Sequence, residues 1–255
     1  MRRFCRPGAE FTEGQTIALD AEESAHAARV LRLRRGQRVL VFDGKGGEYE
    51  AELVEVNARA CLCRVLHPSQ PAPELPVEVT LLFGLAKREA AEWIIQKAVE
   101  LGVAQLRPFV CSRAVPKVRE APKTNESTNA RMERWRRIIR DATKQCGRAR
   151  LAQIEEPIAW SELLPQTPPD ASRIVCWEES RDTEAPLSQA LAEMKIGSRC
   201  ALWLAIGPEG GFTPEEIAVA QEAGYRSCSL GPRILRAETA AIAALSAVLA
   251  ELGQL

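Results

Sequence analysis

Cys200-Ala-Leu-Trp-Leu-Ala-Ile-Gly-Pro-Glu-Gly-Gly-Phe-Thr-Pro-Glu-Glu-Ile217 decides the fold. Its first seven residues are a continuous apolar run of strand length, and Gly207-Pro208-Glu209-Gly210-Gly211 ends that run with residues no helix tolerates. A helix begins at once: Thr213 is an N-cap, Pro214 suits the first helical position, and Glu216, three residues after the cap, completes a capping box. Gly224 ends that helix, Tyr225–Leu230 reads as a second short strand, Gly231-Pro232 turns the chain, and Ala237–Leu252 is an alanine-rich helix closed by Gly253. A strand, helix, strand unit of this kind runs parallel with a right-handed crossover, so Gly207–Gly211 and Leu230–Leu235 are expected side by side at the carboxyl edge, where open α/β sheets bind ligands.

The loop is not a standard phosphate cradle, since neither Gly-x-Gly-x-x-Gly nor Gly-x-x-x-x-Gly-Lys-Ser/Thr occurs here. Glu209 would repel a polyphosphate but suits ribose hydroxyls, an amine or a cationic ligand. A tight turn rich in glycine for backbone reasons alone remains an equal reading of this one loop.

Ile206-Gly-Pro-Glu-Gly-Gly-Phe-Thr-Pro-Glu-Glu-Ile217, followed by Leu230-Gly-Pro-Arg-Ile-Leu-Arg-Ala-Glu-Thr-Ala240, resembles the signature of the ribosomal RNA small-subunit methyltransferase E family, within the SPOUT superfamily. The resemblance implies an N-terminal PUA-like small β-barrel over residues 1–72 and a SPOUT α/β domain over 73–255, with a mostly parallel sheet and a deep trefoil knot. It implies S-adenosylmethionine as cofactor, ring nitrogen 3 of a uridine in small-subunit (16S) ribosomal RNA as acceptor, and a homodimer acting in the cytoplasm. Carried over residue by residue, Leu204, Gly207, Glu209, Gly210, Leu230, Gly231, Ile234 and Leu235 bind the cofactor, and Gly210 is where backbone approaches it. Arg32, Arg113, Gln145 and Arg148 bind RNA. Arg236 and Glu238, at the start of the last helix, are the candidates for chemistry: Arg236 to stabilise negative charge on a deprotonated uracil or to hold RNA phosphate, Glu238 more weakly as proton acceptor. Ser112, where the family more often has glutamate, and Leu151-Ala152, where it usually has proline, depart from the pattern.

Elsewhere the chain reads as a soluble globular protein of 255 residues, 46% of them apolar, with no export signal and no run long enough to span a membrane. Eight cysteines without a Cys-x-x-Cys pair, and only His26 and His67, assemble no zinc site and fit a reducing compartment. Both histidines precede residue 77, which excludes a Ser-His-Asp hydrolase built in the C-terminal half. The net charge is zero, yet residues 75–160 hold 16 basic and 10 acidic side chains, and 161–255 hold 7 and 13. The basic middle fits a polyanion or a solvated face.

In the first segment, Asp20 and Glu23 frame a capping box on a helix running to about Leu33, and strands follow at 37–42, 48–56 and 60–66. Four prolines between His67 and Pro76 mark the domain boundary. Beyond it, Val77–Leu85 and Arg173–Trp177 read as strands, Arg88–Leu101, Ala130–Gly147 and Pro186–Met194 as helices, Ser161–Leu164 as a short helix, and Ser112–Asn129 as a mobile loop. Cys146 as a covalent nucleophile is disfavoured, because attack through nitrogen needs no adduct. A catalytically inactive RNA-binding assembly factor, or a nucleotide-binding enzyme acting on a metabolite, remain the rival readings; titration with S-adenosylmethionine separates them.

Overall fold

The computed structural model describes residues 1–114, 125–179, 185–195 and 201–255. The chain divides into two compact units: Met1–Glu74 with Arg140–Leu151, and Leu75–Ile139 with Ala152–Leu255.

In the first unit, β1 (Arg3–Cys5), β2 (Thr16–Ala18), α1 (Ala21–Ala25), β3 (Arg38–Phe42), β4 (Glu48–Glu55) and β5 (Leu62–Pro68) follow one another along the chain. Their sheet has the order β1-β3-β4-β5-β2, antiparallel except where β1 pairs with β3. Phe4, Val39, Val41, Ala51, Leu53, Cys61, Cys63 and Val65 fill its interior, the inward residues of strands that alternate in burial. Asp20 caps α1, accepting from the Glu23 N–H at 2.8 Å. The expected helix to Leu33 stops earlier: a π-turn spans His26–Val30 and Arg32 takes a left-handed backbone.

Segment 140–151 is tied into this unit by charge. Arg3 donates to the Thr143 and Arg148 carbonyls at 3.0 and 2.9 Å, a cation at the carboxyl end of a helix. Lys144 meets the buried Glu23 at 2.9 Å.

The second unit runs β6 (Glu78–Gly84), α2 (Arg88–Glu100), β7 (Gln105–Val110), α3 (Asn125–Cys146, of which residues to Ile139 count here), β8 (Gln153–Ile154), β9 (Ile158–Ala159), α4 (Trp160–Leu163), β10 (Ser172–Cys176), α5 (Leu187–Met194), β11 (Ala201–Ile206), α6 (Pro214–Glu222), β12 (Arg226–Cys228) and α7 (Ala237–Glu251). Its seven-stranded sheet, ordered β12-β10-β11-β6-β7-β8 with β9 on β7, is parallel throughout. Continuous apolar strands such as β11 are what a sheet covered on both faces requires. Ala91, Ile94, Ile95 and Ala98 are the buried stripe of α2.

Three expectations need correction. The strands carrying the two glycine loops are not neighbours, because β10 lies between β11 and β12. The helix expected from Ala130 begins at Asn125; residues 115–124 of the expected loop, and Cys200 of the expected strand, lie outside the described residues. Strand β7 carries Pro108 and no alternating pattern, and sequence periodicity missed it.

Candidate cofactor cleft and neighbouring groove

The carboxyl ends of β10, β11 and β12 open into one cleft. Its first wall is the loop after β11. Gly84, the last residue of β6, must be glycine here, because a Cβ would overlap the backbone nitrogen of Pro208. The Lys87 N–H then donates to Glu209 Oε1 at 3.1 Å and fixes the loop from the β6 side. Gly211 closes the turn with its N–H on the Pro208 carbonyl at 2.9 Å and φ +69°, and a Cβ on it would meet the Glu178 carboxylate.

Behind the loop, Phe212 is fully buried against Phe109 and Trp160, with ring centroids 5.7 and 5.1 Å away. The capping box forms as the sequence implied, Thr213 and Glu216 exchanging hydrogen bonds of 2.9 and 3.2 Å. Glu216 Oε1 also accepts from the Ser112 N–H and hydroxyl, at 2.8 and 2.9 Å.

The opposite wall is the loop after β12. The Gly231 N–H donates to Ser229 Oγ at 3.1 Å, Gly231 has φ +103°, and no atom stands within 4 Å of where its Cβ would project. Between the walls, β10 supplies Cys176, Trp177 and Glu178. Cys176 lies in register with Cys228, and burial pushes its thiol pKa up, so it stays a neutral thiol at physiological pH.

Of the sequence-derived cofactor residues, Gly207, Glu209, Leu230, Gly231, Ile234 and Leu235 line this cleft together. Leu204 does not: it is fully buried in β11, paired between Ile174 and Leu81. Gly210 is not among the lining residues, and a Cβ there would stand 2.5 Å from the Arg113 carbonyl, so packing of the loop alone already requires glycine at that position. Arg233, Cys176, Trp177 and Glu178 were missed. The only signal for the last three was their position at the carboxyl end of a strand.

Arg236 and Glu238 line an adjoining groove with Lys87, Glu89, Ala90, Trp93 and Glu209, so Glu209 belongs to both depressions. Arg236 is the N-cap residue of α7 and Glu238 lies in its first turn. Among the described residues no ion pair joins the two, and both face the same groove.

Among the RNA candidates, Arg32 and Gln145 are exposed in the first unit. Arg148 is 3% exposed and its guanidinium grips Glu74 at 2.6–3.2 Å, which withdraws it from a surface role in phosphate binding. In the second unit, Arg113 donates to the Phe212 carbonyl at 3.1 Å and is partly exposed. Cys146 is half-buried and donates to the Thr143 carbonyl at 3.7 Å. Among the described residues no cluster of three or more His, Cys, Asp or Glu could hold a metal ion, and no helix is long and apolar enough to cross a membrane.

The RNA methyltransferase domain family matches residues 73–249, and the RNA methyltransferase PUA domain family matches 19–66. The chain is 32% identical over 241 residues to the ribosomal RNA small subunit methyltransferase E of Bacillus subtilis, covering 94% of this chain and 91% of that one. A protein of the same name from Synechocystis is also 32% identical, over 91% of this chain and 72% of its own length. Among solved structures, ribosomal RNA small subunit methyltransferase E from Neisseria gonorrhoeae, bound to S-adenosyl methionine, superposes with a TM-score of 0.86 at 29% identity, covering 98% of this chain and 97% of that one.

Proposed function

The chain belongs to the ribosomal RNA small subunit methyltransferase E family, and from this premise we propose that it transfers a methyl group from S-adenosylmethionine to ring nitrogen 3 of a uridine in small-subunit ribosomal RNA. The observation that carries the reading is the cleft at the carboxyl edge of the parallel sheet, with Gly231 open toward it. The lining fits the cofactor. Ile206, Leu230, Ile234, Leu235 and Ala240 supply apolar surface for an adenine ring, and Glu178 and Glu209 offer acceptors for ribose hydroxyls or an ammonium group. Arg233 is the cation available to a carboxylate. Two carboxylates against one guanidinium also favour a ligand with net positive charge.

S-adenosylmethionine, when bound, supplies an electrophilic methyl group on a sulfonium sulfur. The remaining work is alignment and proton removal. Uracil nitrogen 3 has to lose its proton before its electron pair can bond to carbon, and the charge then spreads onto the flanking carbonyl oxygens. Arg236, beside the cleft at the start of α7, stabilises that charge together with the helix N-terminus. Glu238, in the first turn of that helix, is the weaker candidate to take the proton.

The protein works as a homodimer in the cytoplasm in this reading. Trp93 and Ile234, 55% and 73% exposed, are apolar surface available to a second copy. Sedimentation at micromolar concentration gives a dimer if so, and a monomer if not. Isothermal titration with S-adenosylmethionine tests the siting: saturable binding that Gly231→Val abolishes supports it, and unchanged affinity in that variant sinks it.

A further inference from the structure

A third depression lies between α2 and α3. Leu85 and Ala86, just after β6, form its end; Arg88, Ala91 and Glu92 of α2 and Ala130, Arg131, Arg134 and Trp135 of α3 form its sides, around an empty volume of about 800 Å³. No residue assigned above to cofactor, chemistry or RNA lines it.

Its charges are unequally committed. Glu92 takes both of its arginine neighbours, Arg88 at 3.1 Å and Arg134 at 2.6 Å. Among the described residues no carboxylate pairs with Arg131 in this way. Its guanidinium lies over the Trp135 ring at 5.4 Å, and its Nε is buried with no hydrogen-bond partner among the described residues. Burial lowers its pKa, with the charge of Glu156 acting against that from a distance. A buried guanidinium donor without an acceptor costs free energy that a ligand oxygen would recover. Beside it, Leu85, Ala91 and the Trp135 edge give an apolar wall. Planar stacking on guanidinium and apolar side chains is how unpaired bases are held, and guanidinium forks are how phosphate is held.

We propose that this groove between α2 and α3 binds one nucleotide of a single-stranded segment of the RNA substrate, its phosphodiester on Arg131 and its base on the apolar wall. The proposal rests on the methyltransferase reading and names a substrate subsite for it. The segment from Arg113 to Arg150 holds 12 basic against 4 acidic residues, so the groove lies within the most cationic part of the chain.

The test is fluorescence anisotropy of the full chain with a labelled single-stranded oligonucleotide of unmodified small-subunit RNA, alongside titration with S-adenosylmethionine. Arg131→Gln removes the donor; Ala130→Trp, at an exposed helix position, fills the groove and keeps the charge. Arg136→Gln is the control, since Arg136 is exposed, paired with Glu133 at 2.8 Å and outside the groove. Both groove variants are expected to weaken RNA binding about tenfold with cofactor affinity within twofold. Arg131→Gln should also lower the salt slope by about 0.7. RNA affinity within twofold of wild type in either folded groove variant overturns the proposal, as does an equal loss in Arg136→Gln. A wild-type chain that binds no RNA overturns the methyltransferase reading as well, whereas indifferent groove variants of an RNA-binding chain overturn the groove alone.

Discussion

In the proposed reading Arg236 serves the chemistry and Gly231 the fit of the cofactor, and single substitutions at each read out different quantities. Arg236 lies in the groove beside the cleft and not within it. Arg236→Ala is therefore expected to lower turnover at saturating RNA by about 10²-fold, the scale of losing one donor to developing charge, with cofactor affinity nearly unchanged. If turnover stays near wild type and only the RNA concentration needed rises, Arg236 binds RNA and does no chemistry. The glycines separate in the same way. Gly231→Ala places a methyl in open space beside the cleft but strains the backbone at φ +103°, so it is expected to cost cofactor affinity together with a little stability; Gly210→Ala presses on the Arg113 carbonyl at 2.5 Å, so it costs melting temperature first. Cofactor titration and thermal melts on the two variants should give opposite rankings. The sequence placed both glycines in the cofactor set and gave backbone approach to the ligand as the reason for Gly210, whereas the contact that demands glycine there is with Arg113. Contacts from Arg113, about a hundred residues away, leave no local pattern.

The element that joins site to scaffold is α6 with its capping box. Thr213→Ala removes one cap and is expected to cost about 1 kcal/mol, or about 2–4 °C in Tm for a chain of this size. Glu216→Ala should cost more, since the same carboxylate also holds the Ser112 N–H and hydroxyl at 2.8 and 2.9 Å. Equal melting temperatures for the two variants would contradict this linkage. These elements were legible because their signals are local: an apolar run, a glycine loop, and a cap three residues before a glutamate. The short strands β1, β2 and β8 were not, because only their partners in the sheet define them. The place of β10 between β11 and β12 was illegible for a related reason, since strand order is set by packing across the whole domain, and with it went Cys176, Trp177 and Glu178.

At the scale of the molecule, the described cysteines other than the half-buried Cys146 are buried. Burial pushes Cys5 and Cys63 up to about 12 from 9.0. Both thiols stay neutral in the folded chain when the unfolded chain ionises, so the stability they contribute is fully present below pH 9 and is lost as pH rises toward about 12. Denaturation midpoints should fall above pH 9, and Cys63→Ala should flatten that fall; an identical slope in the variant would show that the thiol is not its source. Charge is distributed with similar economy across the chain: the total is zero, while the excess of basic residues sits between Arg113 and Arg150. That segment contributes Arg131 to the groove between α2 and α3, and its last part, from Arg140, packs with the first unit, which no composition shift announces. The central claim is methyl transfer to one atom of one base. Incubating the protein with S-adenosylmethionine and unmodified small-subunit RNA, then mapping the product by mass spectrometry, should find a single methyl group on ring nitrogen 3 of one uridine. A folded, cofactor-binding protein that leaves this RNA unmethylated, or methylates a different atom, contradicts it.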